Sequence, residues 1–119
     1  MSYDENAELR HYIRQHHSSL YTPFEHRVEQ AAHARAKFAN RLGERGKQLM
    51  ARYGQMGDAK FDEALAEGLQ AFRMRVARRI LAQHPDLQIN RCRRCNCILR
   101  TPKAMQCFWC GYDWHVANG

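Results

Sequence analysis

Apolar residues recur every three or four positions through residues 1–85, which is the spacing of one face of an α-helix. The first stripe runs through Leu9, Tyr12 and Ile13. The second stripe consists of Phe24, Val28, Ala31, Phe38, Leu42, Leu49 and Tyr53. The third stripe consists of Phe61, Leu65, Leu69, Phe72, Val76 and Ile80. The pattern predicts three helices, over about 4–17, 23–53 and 58–84.

Residues at the ends of the stripes carry helix-start and helix-stop signals. Thr22 precedes Pro23 and Glu25, which is a capping box with proline at the first helical position. Residues 54–57 form a short connection between the second and third stripes, and Pro85 ends the third. Because so short a connection makes consecutive helices antiparallel neighbours, we expect a long helical hairpin with the first helix lying across it.

The middle of the second predicted helix contains two glycines, Gly43 and Gly46. Each of them disfavours a helix interior by about 1 kcal/mol relative to alanine. A kink at this place is compatible with the pattern, and so is a single helix that continues through it.

Beyond Pro85 the pattern changes from helical spacing to alternation. Leu87 and Ile89 alternate with polar neighbours, and the segments 98–101 and 112–116 also have the character of short strands. We therefore expect a mainly α protein with a helical body, residues 1–85, and a small C-terminal β module, residues 86–119. A module of this size buries too little apolar surface to fold without a further source of stability.

Four cysteines in this module have the spacing of a metal site. Cys92 and Cys95 form one C-x-x-C pair, and Cys107 and Cys110 form a second pair after eleven intervening residues. Each pair closes a tight turn, a knuckle, that directs two sulfurs at one point, and four thiolates around one ion are a common ligand set of structural zinc. Since four cysteines leave no coordination position for water, a structural zinc ion is predicted rather than a catalytic one.

The residues around the two pairs refine this prediction. Asn96 and Gly111 directly follow the pairs, and these are the two residue types that best tolerate a positive φ. Cys97 and His115 are two further potential ligands. Cys97 is interpreted either as a small residue beside the first knuckle or as an alternative ligand. His115 is interpreted either as part of an aromatic packing face or as a ligand.

The segment from about Leu87 to Val116 resembles a zinc ribbon or a similar C4 zinc finger. The resemblance rests on the four cysteines together with Asn96 and Gly111. It implies a module that binds nucleic acid or protein, since such modules rarely catalyse reactions.

The net charge of +7 is unevenly distributed along the chain. Residues 1–72 carry ten basic and ten acidic groups, whereas residues 73–103 carry nine basic groups and the single acid Asp86. A charge segregated in this way attracts polyanions, although the same charges also serve as a solubilising surface. The candidate nucleic-acid contacts in this segment are Arg75, Arg78, Arg79, Arg91, Arg93, Arg94, Arg100 and Lys103.

Trp109 lies with Phe108 between the cysteines of the second pair. An outward-pointing Trp109 would stack on a base or anchor a protein partner; alternatively, one of the two rings packs onto the helical body. The favoured hypothesis is a non-catalytic zinc protein that binds DNA or RNA, as a small transcriptional or other regulator. The alternative is a protein–protein adaptor or assembly subunit that docks through the zinc knuckle or the helical hairpin.

Signatures of other protein classes are missing from the sequence. It contains no glycine-rich phosphate loop, no Gly-x-Ser-x-Gly elbow and no His-Glu-x-x-His motif, so an enzyme is not predicted. It also contains no apolar stretch long enough to span a membrane. An odd number of cysteines, four of them with metal spacing, indicates a reducing, cytoplasmic location. The pattern sets neither the target nor the oligomeric state.

A helical hairpin with acidic residues near its tip, followed by a C4 finger, resembles the DksA/TraR regulators. Asp58, Asp62 and Ala64 stand at the corresponding tip in this sequence. The resemblance implies a protein that inserts its hairpin into the secondary channel of bacterial RNA polymerase, and it is a further version of the adaptor hypothesis.

Overall fold

The protein is mainly α-helical, as the sequence predicts. The computed structural model describes residues 2–41 and 43–115. The helices are α1 Glu5–His16, α2 Pro23–Phe38, α3 Gly43–Tyr53, α4 Ala59–Ala64 and α5 Leu69–Gln83, and a short 3-10 turn covers Ser18–Leu20.

The predicted helix starts coincide with side-chain caps. The Asp4 carboxylate accepts a hydrogen bond from the Ala7 N–H at 3.1 Å and caps α1. At the start of α2 the Thr22 hydroxyl oxygen accepts from the Glu25 N–H at 3.1 Å, and the Glu25 carboxylate accepts from the Thr22 N–H at 2.8 Å. This reciprocal capping box satisfies two of the backbone donors that a helix start leaves without helical partners.

Two of the predicted helices are each divided in two. The predicted helix 23–53 ends at Phe38 and resumes as α3 at Gly43, and the predicted helix 58–84 ends at Ala64 and resumes as α5 at Leu69. Helix α3 begins at Gly43, which has φ +81°, and α5 begins directly after Gly68, which has φ +96°. Both glycines lie in the left-handed region. A backbone with this φ leaves the right-handed helix, and glycine adopts it without steric penalty.

The long antiparallel hairpin is therefore not confirmed. Helix α2 packs mainly against α3, with which the sequence predicted it to form one continuous helix, and it also contacts α4. Leu42, a member of the second apolar stripe, lies outside the described residues.

The C-terminal β ribbon is also not confirmed. Within residues 86–115 the backbone forms two isolated antiparallel bridges, Arg91 with Ile98 and Gln106 with Asp113, and no extended strand. Each bridge closes the chain around one C-x-x-C pair. Val116, the predicted end of the last strand, lies outside the described residues.

The chain forms two compact units. The central unit spans Leu20–Val76, and the terminal unit combines the residues up to Ser19 with those from Ala77 onward. The buried side chains of the terminal unit include Tyr12, Ile13, Ala77, Ile80, Ile98 and Leu99. Those of the central unit include Val28, Ala31, Phe61, Phe72 and Val76. Helix α5 begins in the central unit and ends in the terminal unit.

Two arginines are largely buried in the central unit, and each is paired. Arg73 forms a forked ion pair with Glu29, with N···O distances of 2.9–3.2 Å. Arg35 contacts Asp62 at 2.7 Å and also donates to the backbone carbonyl of Gly54 at 2.6 Å. Because a buried charge is costly unless it is paired and hydrogen-bonded, these contacts hold the helices of the unit in one arrangement.

Across residues 2–41 and 43–115, no helix is both long enough and apolar enough to cross a lipid bilayer.

Candidate metal centre and its surface

The four predicted ligands converge at one point of the terminal unit. The sulfur atoms of Cys92, Cys95, Cys107 and Cys110 all lie within 4.8 Å of one another. The Cys92 and Cys110 sulfurs are 3.6 Å apart, as are those of Cys95 and Cys107. A tetrahedral ion with metal–sulfur bonds of about 2.3 Å separates its sulfurs by about 3.8 Å. The cluster therefore matches a C4 metal site, and zinc is the metal that suits this donor set best.

Backbone N–H groups surround one sulfur in each pair. The Cys92 sulfur accepts from the N–H groups of Arg94 at 3.3 Å and Cys95 at 3.4 Å. The Cys107 sulfur accepts from those of Trp109 and Cys110 at the same two distances. These donors stabilise negative charge on the sulfurs, as a zinc-bound thiolate requires.

The residue after each pair has the backbone conformation that the sequence predicts. Asn96 has φ +65° and Gly111 has φ +78°. The Asn96 N–H donates to the Cys92 carbonyl at 3.0 Å and the Gly111 N–H donates to the Cys107 carbonyl at 2.9 Å. The positive φ then turns the following residue back toward the start of its knuckle. Both knuckles are therefore closed by their own backbone.

The two knuckles are copies of one another at an offset of fifteen residues. Cys92 N–H donates to the Cys97 carbonyl, and Cys107 N–H donates to the Tyr112 carbonyl, both at 2.8 Å. The two antiparallel bridges, Arg91 with Ile98 and Gln106 with Asp113, have the same offset. This internal repeat is not evident in the sequence, because few residue types recur at the offset apart from the cysteines themselves.

The thiols of the site differ in acidity. Burial raises the pKa of Cys92, but the backbone N–H groups of Cys95 and Arg94 outweigh it and lower that pKa to about 6. The Tyr112 backbone lowers the pKa of Cys110, but desolvation and the neighbouring thiols outweigh it and raise that pKa to about 11. Closely spaced thiolates repel each other, and this repulsion keeps some of the four thiols protonated. A divalent metal ion that binds all four sulfurs must therefore displace those protons.

Cys97 and His115 lie outside the four-sulfur cluster. Cys97 is half-buried and packs beside the apolar core of the knuckles. The exposed His115 ring hydrogen-bonds the Asp113 carboxylate at 2.5 Å. Among the described residues, the group of potential ligands at this site consists of the four cysteines alone.

The N-terminal segment contacts the C4 module at several points within the terminal unit. The Tyr3 hydroxyl accepts from the Ile98 N–H at 2.9 Å, and the buried Tyr12 hydroxyl accepts from the Asn90 N–H at 3.3 Å. Helix α1 supplies two further contacts. Glu5 forms an ion pair with Arg91 at 2.6 Å, and the His16 ring hydrogen-bonds the Arg100 carbonyl at 2.8 Å. The first helix therefore packs on the zinc module rather than across a hairpin.

Arginines of the first knuckle lie over aromatic rings that follow the second. The Arg93 guanidinium is 5.5 Å from the Trp114 ring centroid, and that of Arg94 is 5.9 Å from the Tyr112 ring. The Tyr112 and Trp114 rings are stacked, with centroids 5.5 Å apart and planes inclined by 29°. We name these four residues the Arg–aromatic face. The sequence predicts Tyr112 and Trp114 in a packing strand, and their pairing with the arginines is not evident from it.

The remaining candidate contacts have different surroundings. Arg100 covers the exposed ring of Phe108, with its guanidinium 3.8 Å from the centroid. Arg78 and Lys103 are exposed in the terminal unit, and Arg79 donates to the Gln83 side chain on α5. Arg91 is paired with Glu5 as described.

Arg75 belongs to the central unit. It donates to the Ala64 carbonyl at 2.7 Å and lies 3.6 Å from the Glu67 carboxylate. The structure therefore does not place Arg75 with the arginines of the C4 module in one unit.

Trp109 is half-buried. The edge of its ring meets Tyr3, with centroids 5.1 Å apart, and its indole N–H is buried without a hydrogen-bond partner among the described residues. Phe108, which is 51% exposed, presents the more accessible of the two rings.

No protein-family model, curated protein or solved structure matches this chain. The resemblance to a C4 zinc finger therefore rests on the local geometry of the two knuckles. The predicted likeness to the DksA/TraR regulators depends on a continuous hairpin and a free acidic tip. Asp58 instead caps α4 by accepting from the Lys60 N–H at 3.0 Å, and Asp62 is paired with Arg35.

Proposed function

We propose that this chain is a non-catalytic zinc protein that binds DNA or RNA through the Arg–aromatic face of its C4 module. The observation that carries the proposal is that each guanidinium is paired with a ring, Arg93 with Trp114 and Arg94 with Tyr112, while the two rings stack on each other. A nucleic-acid strand presents a phosphate and a base at every nucleotide. The guanidinium groups of this face suit phosphate, and its aromatic rings suit a base.

Zinc has a structural role in this proposal. Four thiolates complete a tetrahedral shell and leave no position for a water or a substrate. The ion locks the two knuckles together, so the arginines of the first knuckle are held against rings of the second. A rigid face binds with a smaller loss of side-chain entropy than a flexible one.

Arginines stacked on rings remain able to bind phosphate. A guanidinium that lies over an aromatic ring uses its flat surface for that contact, while its N–H groups point outward in the plane. Arg93 and Arg94 are exposed, so these donors can form charge-assisted hydrogen bonds with phosphate oxygens. A base can stack on the exposed part of a neighbouring ring, such as Tyr112 or Phe108.

The charge of the segment supports a polyanionic ligand. From Ala77 onward the chain carries seven arginines and lysines against two acidic residues, Asp86 and Asp113. Asp113 also lies beside His115, which partly offsets its charge when that ring is protonated. A local excess of this size attracts nucleic acid before any specific contact forms.

The test compares two double variants that lose the same charge. Arg93→Gln with Arg94→Gln removes the arginines of the face, and Arg27→Gln with Lys60→Gln removes two exposed cations of the central unit. We expect the first variant to reduce the slope of log affinity against log salt by up to about 1.8 on duplex DNA, or about 1.4 on a single strand. The control should change it less.

Zinc content and circular dichroism establish that both variants fold. Identical binding of the face variant and the control at every salt concentration would show that the Arg–aromatic face is not the binding site. If the unmodified protein binds no nucleic acid even at low salt, the nucleic-acid proposal as a whole is wrong.

A protein–protein adaptor is the second candidate function. It is favoured by exposed apolar side chains on the C4 module, since Phe108 is 51% exposed and Met105 is 41% exposed. Exposed apolar groups close to arginines are a frequent composition of protein interfaces. Isolation of the chain from its host with one stoichiometric protein, unaffected by nuclease treatment, would favour this function.

A further inference from the structure

Aromatic rings and cations also lie together on the central unit, at the ends of α2 and α3. The Lys37 ammonium is 5.5 Å from the Phe38 ring centroid, and the Arg52 guanidinium is 5.4 Å from that of Tyr53. The two rings are 6.1 Å apart. Tyr53 is 49% exposed, although an aromatic side chain normally gains from burial. Arg45 is exposed two helical turns before Arg52, on the same side of α3. We name these five residues the α2–α3 face.

The surrounding segment is strongly basic. Residues 37–53 contain five arginines and lysines and one acid, Glu44. Glu44 lies 3.8 Å from Lys47, and five basic residues against one acid leave the segment a formal charge of +4. The formal charge over residues 1–72 sums to zero and hides this local excess, because the acids that balance it lie elsewhere in the sequence.

Contacts at both ends of α3 hold the face in place. Gly46 is buried, and a Cβ atom at this position would stand 2.2 Å from the Arg41 carbonyl oxygen, which is too close for any side chain. At the far end of α3, Arg35 donates to the carbonyls of Gly54 and Gln55 at 2.6 and 3.1 Å. The rings of Phe38 and Tyr53 are therefore preorganised, since both ends of α3 are fixed to α2 or the residues that follow it.

We propose that the α2–α3 face is a second binding site, and that its ligand is single-stranded nucleic acid. Cations beside the exposed Tyr53 ring and the half-buried Phe38 ring match the backbone charge and the free base faces of a single strand. A duplex hides its base faces in the stack, so it would use the cations and leave Tyr53 without a partner. The site is independent of the C4 module in its residues, and it extends the proposed function to the central unit.

The first experiment uses the unmodified protein. Ultraviolet irradiation with short oligo(dT), and separately with oligo(U), should cross-link a peptide that contains Phe38 or Tyr53. Recovery of cross-links from the C4 module alone would overturn this proposal and leave the proposed function standing. Cross-links at Tyr53 alone would support this proposal and would contradict binding through the Arg–aromatic face.

The second experiment measures affinity in a protein that already carries Arg93→Gln and Arg94→Gln. Adding Arg45→Gln and Arg52→Gln should lower the salt slope on oligo(dT) by up to about 1.4. Adding Tyr53→Leu instead should weaken binding about tenfold with little change of slope, because stacking releases no counterions. Arg27→Gln with Lys60→Gln is the control of equal charge.

Two outcomes would contradict the proposal. One is that the Arg45 and Arg52 substitutions affect binding no more than the control does. The other is that the unmodified protein binds anionic lipid vesicles through this face but binds neither oligonucleotide, which would assign the face to a membrane surface instead.

Discussion

At the scale of single residues, Asn96 shows how one backbone angle sets the metal geometry. Its φ of +65° turns the chain after Cys95, so the Cys97 carbonyl comes back to accept from the Cys92 N–H at 2.8 Å. Gly111 occupies the equivalent place in the second knuckle. Both positions could be predicted from the sequence, because tolerance of positive φ is a local property of Asn and Gly.

Asn96 therefore provides a test of the knuckle. Asn96→Gly should retain zinc affinity and stability, whereas Asn96→Val should destabilise the terminal unit by about 1–3 kcal/mol, because a β-branched residue is strained at positive φ. Thermal unfolding and competition with a chromophoric zinc chelator measure the two effects. Equal zinc affinity of the Val and Gly variants would show that this turn does not control the site.

At the scale of elements, helix α1 is defined by what it packs against. Tyr12 is 2% exposed, and its hydroxyl is the partner of the Asn90 N–H, seventy-eight residues along the chain. The existence of α1 followed from its apolar spacing. Its location did not, because an amphipathic stripe indicates that one face is buried but not by which partner.

The breaks between α2 and α3 and between α4 and α5 could not be predicted from apolar spacing, for a related reason. Leu65 and Leu69 are four residues apart, so the apolar stripe stays in phase although the helix stops between them. Apolar periodicity shows which side of the chain is apolar. The positive φ of Gly68 interrupts the helix but leaves the spacing of the apolar residues unchanged. Capping residues such as Thr22 were more informative, since a cap acts on the adjacent turn alone.

Tyr12→Phe tests the attachment of α1. The substitution keeps the ring and leaves the half-buried Asn90 N–H without its partner, so we expect a loss of about 1–3 kcal/mol. Faster hydrogen exchange at the Asn90 amide and across Glu5–His16 would report the loosening. Tyr53→Phe, which alters an exposed hydroxyl of the central unit, is the matched control and should leave exchange in α1 unchanged.

At the scale of the whole molecule, we expect the two units to depend unequally on an ion bound at the four cysteines. The central unit has its own apolar interior and its own ion pairs, Arg73 with Glu29 and Arg35 with Asp62. The terminal unit instead depends on the knuckles, because α1 is bonded to residues that the metal site holds in place. Structural zinc contributes about 10–16 kcal/mol to such modules.

Removal of zinc should consequently disorder more than the C-terminal module. With a strong chelator, we expect amide protection to fall over residues 86–115 and also over α1, while α2 and α4 stay protected. Circular dichroism should lose a minor part of its helical signal. Retention of protection in α1 after complete loss of zinc would mean that its attachment is independent of the metal.

The terminal unit is assembled from two distant stretches of chain, and this affects the order of events on the ribosome. Tyr3, Glu5 and Tyr12 are synthesised early, but their partners Ile98, Arg91 and Asn90 emerge only after the entire central unit. The central unit, which is continuous in sequence, can fold as soon as it leaves the exit tunnel. During that interval the apolar side of α1 lacks its native partners, and we expect this exposed apolar surface to favour aggregation until the C4 module has folded.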